Sequence, residues 1–185
     1  KNDEVQVTIT DYTSEGAGIG KVDGYPLFVK DAIIGDTVIA GITKVKKNYA
    51  FARLVKILTP SADRVNPECA FHKRCGGCQM QALSYEAQLA FKENKIRNNL
   101  VRIGGFDPDF VDAVTEPIIG MDEPFRYRNK AQYPIREIGK RARAGFFAVK
   151  THDLIPCESC LLQPDAFGEI VSYITDFAGK NGIRA

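Results

Sequence analysis

The sequence lacks any long apolar run. Nowhere does it approach the roughly 20 consecutive apolar residues that a membrane-spanning helix needs, so no membrane partner is expected. The start, Lys1-Asn-Asp-Glu, is polar and charged, which argues against a secretory signal peptide and for a cytoplasmic protein. There is no internal repeat and no low-complexity segment, so neither a solenoid nor a biased, unfolded tract is expected. An initiator methionine is missing and the chain ends Asn181-Gly-Ile-Arg-Ala185, which reads as a stretch of something longer. Charge of one sign is not in excess either: 25 Lys and Arg against 23 Asp and Glu leave a formal +2. The whole-chain average therefore says little about partners. With 185 residues and 44% hydrophobic content the chain suits one or two domains with ordinary cores.

Acidic residues are scarce in two places. From Thr37 to Pro60 there are five basic residues (Lys44, Lys46, Lys47, Arg53, Lys56) and no acid. From Arg126 to Lys150 there are eight (Arg126, Arg128, Lys130, Arg136, Lys140, Arg141, Arg143, Lys150) against the single Glu137. Two basic patches in a nearly neutral chain point to a polyanionic partner.

The hydropathy pattern gives an α+β, mainly β, chain. Residues 1–58 read as all-β: Val5, Val7 and Ile9 alternate with polar residues, the pattern of a half-buried strand. A glycine-rich turn follows at Glu15–Gly20, and short strands are expected at Tyr25–Val29, Asp36–Val45 and Tyr49–Ile57. Short strands packed into so little chain predict a small closed, five-stranded OB-like barrel, because closure removes sheet edges. The Gly16-x-Gly18-x-Gly20 run is not a dinucleotide fingerprint, since a turn and Pro26 follow where a helix would have to begin. Residues 59–67, with two prolines, read as a linker. Residues 68–185 read as an α+β domain. Ser84 caps a helix running to about Ile103, with Tyr85, Leu89, Ile96, Leu100 and Ile103 near helical spacing and Gly104-Gly105 as its stop. Arg126–Leu162 reads as β-rich, turning at Glu137–Lys140, and a last helix is expected from Pro164 to Phe177.

Five cysteines is an odd number, which suits reduced thiols and a metal site better than a disulfide framework. Cys69, Cys75 and Cys78 are tightly grouped, with a later partner at Cys157 or Cys160. Cys75-Gly-Gly-Cys78 places two thiolates on one turn, and its glycines let backbone N–H groups face sulfur. Three ligands plus one favours an iron–sulfur cluster of the 4Fe–4S type. Zinc, which usually shows two ligand pairs, and a disulfide remain the alternatives. His72, between the ligands, reads as a surface histidine of the loop.

The run Cys69-x5-Cys75-Gly-Gly-Cys78-x2-Gln81 resembles the cluster signature of the bacterial RNA (uracil-5-)-methyltransferases of the 23S ribosomal RNA type. Phe125-Arg-Tyr-Arg-Asn-Lys-Ala-Gln-Tyr-Pro134 and His152-Asp-Leu-Ile-Pro-Cys-Glu-Ser-Cys160-Leu-Leu-Gln163 are similar to two further segments of that family, in the family's order. Residues 4–58 resemble the TRAM domain, an OB-like barrel for RNA. The resemblance implies a 4Fe–4S cluster on Cys69, Cys75, Cys78 and Cys160. Cys160 is preferred to Cys157 because the family places a histidine eight residues before the ligand and an apolar-apolar-Gln after it, as His152 and Leu161-Leu-Gln163 do here. It also implies that S-adenosylmethionine, a nucleophilic cysteine and a carboxylate base belong to a C-terminal Rossmann-like domain, of which these residues show no trace. No catalytic residue is therefore expected in this chain.

The expected partner is ribosomal RNA, bound by a monomer. Lys44, Lys46, Lys47 and Arg53 of the barrel would hold its backbone, with Tyr49 or Phe51 stacking on bases if they face out; Phe51 is expected in the core. Arg126, Arg128, Lys130 and Arg143 would form a second site, the first three sharing one face of a strand by alternation. The cluster's expected role is structural. Three rival readings are a zinc-stapled RNA-binding module without enzymatic activity, a radical S-adenosylmethionine methylthiotransferase and a ferredoxin-like electron carrier. In the second the triplet is Cys-x3-Cys-x2-Cys and the barrel comes last, unlike here. The barrel and basic patches count against the third.

Overall fold

Alternating apolar residues in the first sixty positions can be buried on one side only if the strands curl around a common interior. The computed structural model describes residues 3–149 and 151–183, so Lys150 of the second basic patch lies outside the described residues. Strands β1 (Glu4–Tyr12), β2 (Gly18–Val22), β3 (Tyr25–Lys30), β4 (Thr37–Val45) and β5 (Ala50–Thr59) form a closed barrel in the order β1-β2-β3-β5-β4, with β4 paired back to β1. Every pair is antiparallel except β3 with β5, which run parallel. Val7, Ile9, Leu27, Val29, Val38 and Ala40 point inward and are almost fully buried. Burial of each larger aliphatic side chain stabilises by about 1.5–3 kcal/mol.

The interior is tight where β2 crosses it. A Cβ on Gly20 would lie 2.3 Å from Val7 Cγ2 and 2.6 Å from the Thr8 carbonyl oxygen. The glycine cluster is therefore only partly a turn. Gly16, at φ +77°, makes the turn, while Gly18 and Gly20 are strand residues at a place with no room for a side chain.

Asp36 ties the barrel to the segment that leaves it. Its side chain is fully buried. Its oxygens accept hydrogen bonds from the Ile33 and Ser61 amides, both at 2.9 Å, and from the guanidinium of Arg64. Burial alone would raise this carboxyl, but the bonds from Arg64, Ile33 and Ser61 outweigh it and hold the pKa below the usual carboxylate range. The stretch expected as a linker is thus fastened down through Ser61 and Arg64.

The contacts divide the chain into two compact units: residues up to Asn66 with Ala82–Asp122, and Pro67–Gln81 with Glu123 onward. The helix after the cysteine loop thus groups with the barrel, although a boundary drawn along the sequence at residue 68 assigns it to the cysteine domain. In the first unit, α1 (Tyr85–Arg102) begins at Ser84, whose hydroxyl accepts from the Ala87 amide as expected. Phe91 on this helix meets Tyr12 edge-on at 5.3 Å. A second helix, α2 (Pro108–Val114), went unforeseen although Asp107-Pro108 is a standard opening, a capping carboxylate with proline at the first helical position. Arg97 of α1 joins the two by bonding Glu93, Asp112 and the Thr115 carbonyl.

In the second unit β6 (Ile135–Ile138), β7 (Arg141–Phe147) and β8 (Leu154–Pro156) form an antiparallel sheet in that order, and α3 (Asp165–Lys180) packs on β7. The β-rich reading of 126–162 holds only from Ile135 onward. Residues 123–134 form no strand.

Removing Arg64 would leave the buried Asp36 carboxylate without its cation. Arg64→Ala is expected to lower stability by about 3–5 kcal/mol at neutral pH, read from urea unfolding. Because the folded pKa of Asp36 is lowered, its contribution is complete above the unfolded carboxyl value of about 3.9 and fades as the pH falls through the folded value. The wild type should therefore lose stability more steeply below about pH 4 than Arg64→Ala does; parallel curves would contradict the pairing.

Candidate functional site

The second unit brings all five cysteines to the wall of one cavity of about 460 Å³. The loop carrying the first three is wound by local bonds: the His72 amide donates to the Cys69 carbonyl at 3.1 Å and the Cys75 amide to the Phe71 carbonyl at 2.8 Å. It is then pinned to the strand region after β7. Cys75 bridges to Ala148, the Gly76 amide donates to the Phe147 carbonyl at 3.2 Å, and the Val149 amide donates to the Arg74 carbonyl at 3.2 Å. Cys157 and Cys160 come from the turn following β8, which the Gln163 amide closes on the Cys160 carbonyl at 3.0 Å.

Five cysteine sulfurs dominate the donors in this wall. The Gly77 amide lies 3.4 Å from Cys75 Sγ and donates to it, the contact that the side-chain-free Gly-Gly pair was expected to permit. Burial raises the Cys78 thiol, and the neighbouring Cys160, Cys75 and Cys69 raise it further, against a hydrogen bond from Gln81. Burial pushes Cys157 up to about 11, again with Cys160, Cys69 and Cys75 adding to it. Cys160 is raised by burial as well. A soft metal or cluster with positive charge would reverse this balance, since ligation takes thiols as thiolates and releases protons. The Gln81 Oε1 atom is buried without a hydrogen-bond partner among the described residues, an open polar acceptor beside the thiols. Among the described residues no group of three or more His, Cys, Asp or Glu side chains converges as the shell of a single metal ion. A four-iron cube asks for a wider spacing, because each thiolate bonds a different iron. The donor set, the cavity and the Gly77 amide fit such a group.

The two late cysteines differ in setting. Cys157 is buried, and its thiol donates to the Ser159 carbonyl at 3.2 Å. Cys160 is half-buried, and its sulfur takes a backbone hydrogen bond from Leu162. His72 also lines the cavity, with its Nδ1 3.3 Å from the Cys69 carbonyl, a loop-internal contact.

The second basic patch is arranged differently from the expectation. Arg126, Arg128 and Lys130 do not alternate along a strand, since the segment is irregular and Arg126 has φ +57°. The Arg126 and Arg128 amides instead donate to the Leu161 and Leu162 carbonyls at 2.9 and 2.8 Å. The Arg126 guanidinium bonds the Cys160 and Gln163 carbonyls and pairs with Asp165 at 2.9 Å. It is a brace for the cysteine turn, not a free phosphate ligand. Arg143 pairs with Glu158 at 3.0 Å. Arg128 and Lys130 are exposed and rim the cysteine cavity. Sequence reasoning missed the buried Gln163, whose Oε1 accepts from the Tyr133 hydroxyl. Only the Leu-Leu-Gln motif marked that position.

The barrel patch keeps its cations free. Lys44, Lys46, Lys47 and Arg53 are all exposed, and none forms an ion pair with another described residue. The β4–β5 turn that carries Lys46 and Lys47 is fastened at its base, where the Tyr25 hydroxyl lies 2.6 Å from the Lys46 carbonyl and 2.7 Å from that of Tyr49. Phe51 is not in the core. The inward positions of β5 are Ala50 and Ala52, so alternation turns Phe51 outward, 39% exposed.

Residues 1–55 match the TRAM domain family. Over 98% of its length the chain is 42% identical to a protein of Listeria innocua described as an uncharacterized RNA methyltransferase, and covers 39% of it. Over its whole length it is 44% identical to another so described from Bacillus cereus, covering 40% of that protein. The chain thus spans about two fifths of the length of these relatives. Among solved structures, the Pyrococcus abyssi tRNA (uracil-54, C5)-methyltransferase in complex with S-adenosyl-L-homocysteine shares its fold. The TM-score is 0.62 at 23% identity, over 95% of this chain and 37% of that one.

The two arginines of the second patch should separate on substitution. Arg126→Ala, which deletes bonds to two carbonyls and to Asp165, is expected to lower stability by about 1–3 kcal/mol in urea unfolding. Arg128→Ala should leave the midpoint nearly unchanged. Equal effects would mean that Arg126 does not brace the turn.

Proposed function

We propose, for a chain that belongs as a TRAM-bearing segment to the RNA methyltransferase family, that the whole protein transfers a methyl group from S-adenosylmethionine to carbon 5 of uracil in 23S ribosomal RNA. In this reading the segment binds the RNA and carries a 4Fe–4S cluster, while the methyl donor and the reacting groups belong to a C-terminal domain outside it. Residues 1–58 form the RNA-binding barrel, 59–67 its connection, and the cluster belongs to the α+β part within 68–185. The protein acts as a cytoplasmic monomer.

One observation carries the cluster: the three cysteines of the 69–78 loop and the turn after β8 meet around a single cavity walled by thiols. Cys69, Cys75, Cys78 and Cys160 would hold the group. Cys160 is preferred to Cys157 on the family pattern, and because the Cys157 thiol is already engaged with the Ser159 carbonyl. When bound, the cluster supplies four iron–thiolate bonds that tie the loop to the turn. Arg128 and Lys130 at the rim would meet the net negative charge of a thiolate-bound cluster or approaching phosphates.

The barrel's part is electrostatic and positional. Lys44 at the end of β4, Lys46 and Lys47 in the turn that follows and Arg53 on β5 present cations that form no ion pair among the described residues. Contacts of this kind give affinity and register without reading sequence. The choice of uracil rests on the motif resemblance. The Pyrococcus fold relative is named for a transfer RNA uracil, so transfer RNA is the comparison arm for the ribosomal assignment.

Two measurements test the reading. Anaerobically purified protein should hold close to four irons and four acid-labile sulfides, with the brown absorbance of the cluster. Cys75→Ser should lose the iron and lower the melting temperature together. Iron loss with unchanged melting would remove the structural role, and stoichiometric zinc would replace the cluster with the rival stapled module. Second, Lys44→Ala with Arg53→Ala should weaken binding to 23S ribosomal RNA fragments and flatten its salt dependence, by about 0.7–0.9 in log–log slope per lost phosphate contact. An unchanged slope would take the barrel patch out of the RNA interface, and tighter binding to transfer RNA would reassign the substrate.

A further inference from the structure

We propose that Cys75, Cys78, Cys157 and Cys160 form a second ligand set in the cysteine cavity, one that takes a two-iron 2Fe–2S cluster with one cysteine pair on each iron. The proposal rests on the iron–sulfur reading of this cavity and assigns the thiol that reading leaves over, Cys157.

The five cysteines contain two pairs of equal spacing, Cys75-Gly-Gly-Cys78 and Cys157-Glu-Ser-Cys160, with Cys69 outside both. A C-x-x-C pair puts two thiols on one turn, within reach of one metal ion. Both turns are mounted on the same strand. The first lies against the end of β7, with Cys75 bridged to Ala148 and the Gly76 amide donating to the Phe147 carbonyl. The second begins beside the middle of β7, where the Cys157 amide donates to the Ala144 carbonyl at 3.1 Å. Gly145 makes that seat possible, since a Cβ there would lie 2.9 Å from the Cys157 nitrogen and collide with the Ile155 carbonyl oxygen. The pairs also share a local device. The Gly77 amide donates to Cys75 Sγ at 3.4 Å, and the Leu162 amide donates to the Cys160 sulfur. In each case the donor stands two residues after the cysteine, and hydrogen bonds of this kind to ligand sulfurs tune iron–sulfur clusters.

The separation of the pairs selects the occupant. Among the described residues no three such side chains converge on a single ion, whereas a lone tetrahedral ion needs all four sulfurs about one centre. A 2Fe–2S cluster takes four thiolates, two on each iron, with two sulfides between the irons. Each pair then serves its own metal, and the pairs need not meet. No electron is gained or lost on binding: two ferric ions and two sulfides enter, and four thiols release their protons to solvent. Cys157 gives up its bond to the Ser159 carbonyl in that step. The two clusters share Cys75, Cys78 and Cys160 and exclude each other. Cys69 serves only the four-iron cluster and Cys157 only the two-iron one.

The test uses the full chain, stripped of metal under anaerobic conditions and then supplied with ferric iron and sulfide at two or at four equivalents of each, a thiol reductant being added in the four-equivalent arm. Bound iron, acid-labile sulfide and the Mössbauer spectrum read which cluster forms. At two equivalents the wild type should hold two irons and two sulfides with an all-ferric spectrum. Cys157→Ser should lose this cluster and Cys69→Ser should keep it. At four equivalents the pattern should cross, with the four-iron cluster lost in Cys69→Ser and kept in Cys157→Ser. Cys157 is buried, so the metal-free variant is checked by melting, and Cys157→Ala takes its place if serine unfolds the protein; should both unfold, Cys69→Ser alone decides. A two-iron cluster that survives the loss of Cys157, or that disappears with Cys69, would overturn the proposal, as would a wild type that builds only the four-iron cluster. A wild type that takes up neither cluster would instead remove the iron–sulfur reading on which the proposal rests.

Discussion

The buried carboxylate of Asp36 is the contact on which the barrel unit most depends. It stands at the start of β4, where the chain has just crossed the barrel end, and it gathers the Ile33 amide, the Ser61 amide and the Arg64 guanidinium. Two of those donors lie beyond β5, so one side chain closes the barrel end and directs the chain leaving it. Arg64 then bridges to Leu83, and the Ser84 amide donates to the Asp63 carbonyl, so the start of α1 is reached through the same clasp. A charged group placed in an apolar interior is tolerated only because each of its oxygens is bonded. That requirement makes its partners hard to exchange one at a time.

The parts of the fold legible in the sequence are those governed by local periodicity. Val5, Val7 and Ile9 announced a strand because alternation is a property of neighbouring residues, and Ser84 announced a helix because a cap acts within three residues. Phe51 was misplaced because hydrophobicity was weighed above register: with Ala50 and Ala52 inside, period two leaves it no choice but the surface. The Arg126–Lys130 segment was misread for a related reason. Its alternation of basic and other residues is real, but the left-handed backbone at Arg126 and its bonds to the 160–163 turn belong to a pairing between distant stretches. The Asp36–Arg64 clasp, 28 residues apart, left no local signal at all.

The cysteine wall shows how a binding cavity can be electrostatically uncomfortable by construction. Burial and mutual repulsion both disfavour thiolates there, and the Gly77 amide and the Gln81 side chain offset this only in part. The surrounding frame is held by bonds that do not involve sulfur: β7 pins the loop, and Arg126 pins the turn. The positions of the donors therefore derive from backbone hydrogen bonding, while their charge state is left to whatever they bind. The spacing of the first three cysteines was readable from sequence. That Cys157 shares the same wall was not, since it depends on how β8 ends.

Closure of the barrel through the parallel β3–β5 pair has a consequence for how this domain can change over time. A sheet with a free edge can be extended by any passing strand, and its backbone then takes part in recognition and in misassociation alike. Here every strand has two neighbours, so no strand lies at a free edge. Residues on the outer wall can drift without disturbing the ladder beneath them, because inward and outward positions are separated by register. Such a domain can be retuned to a new ligand by surface substitution alone while keeping one scaffold.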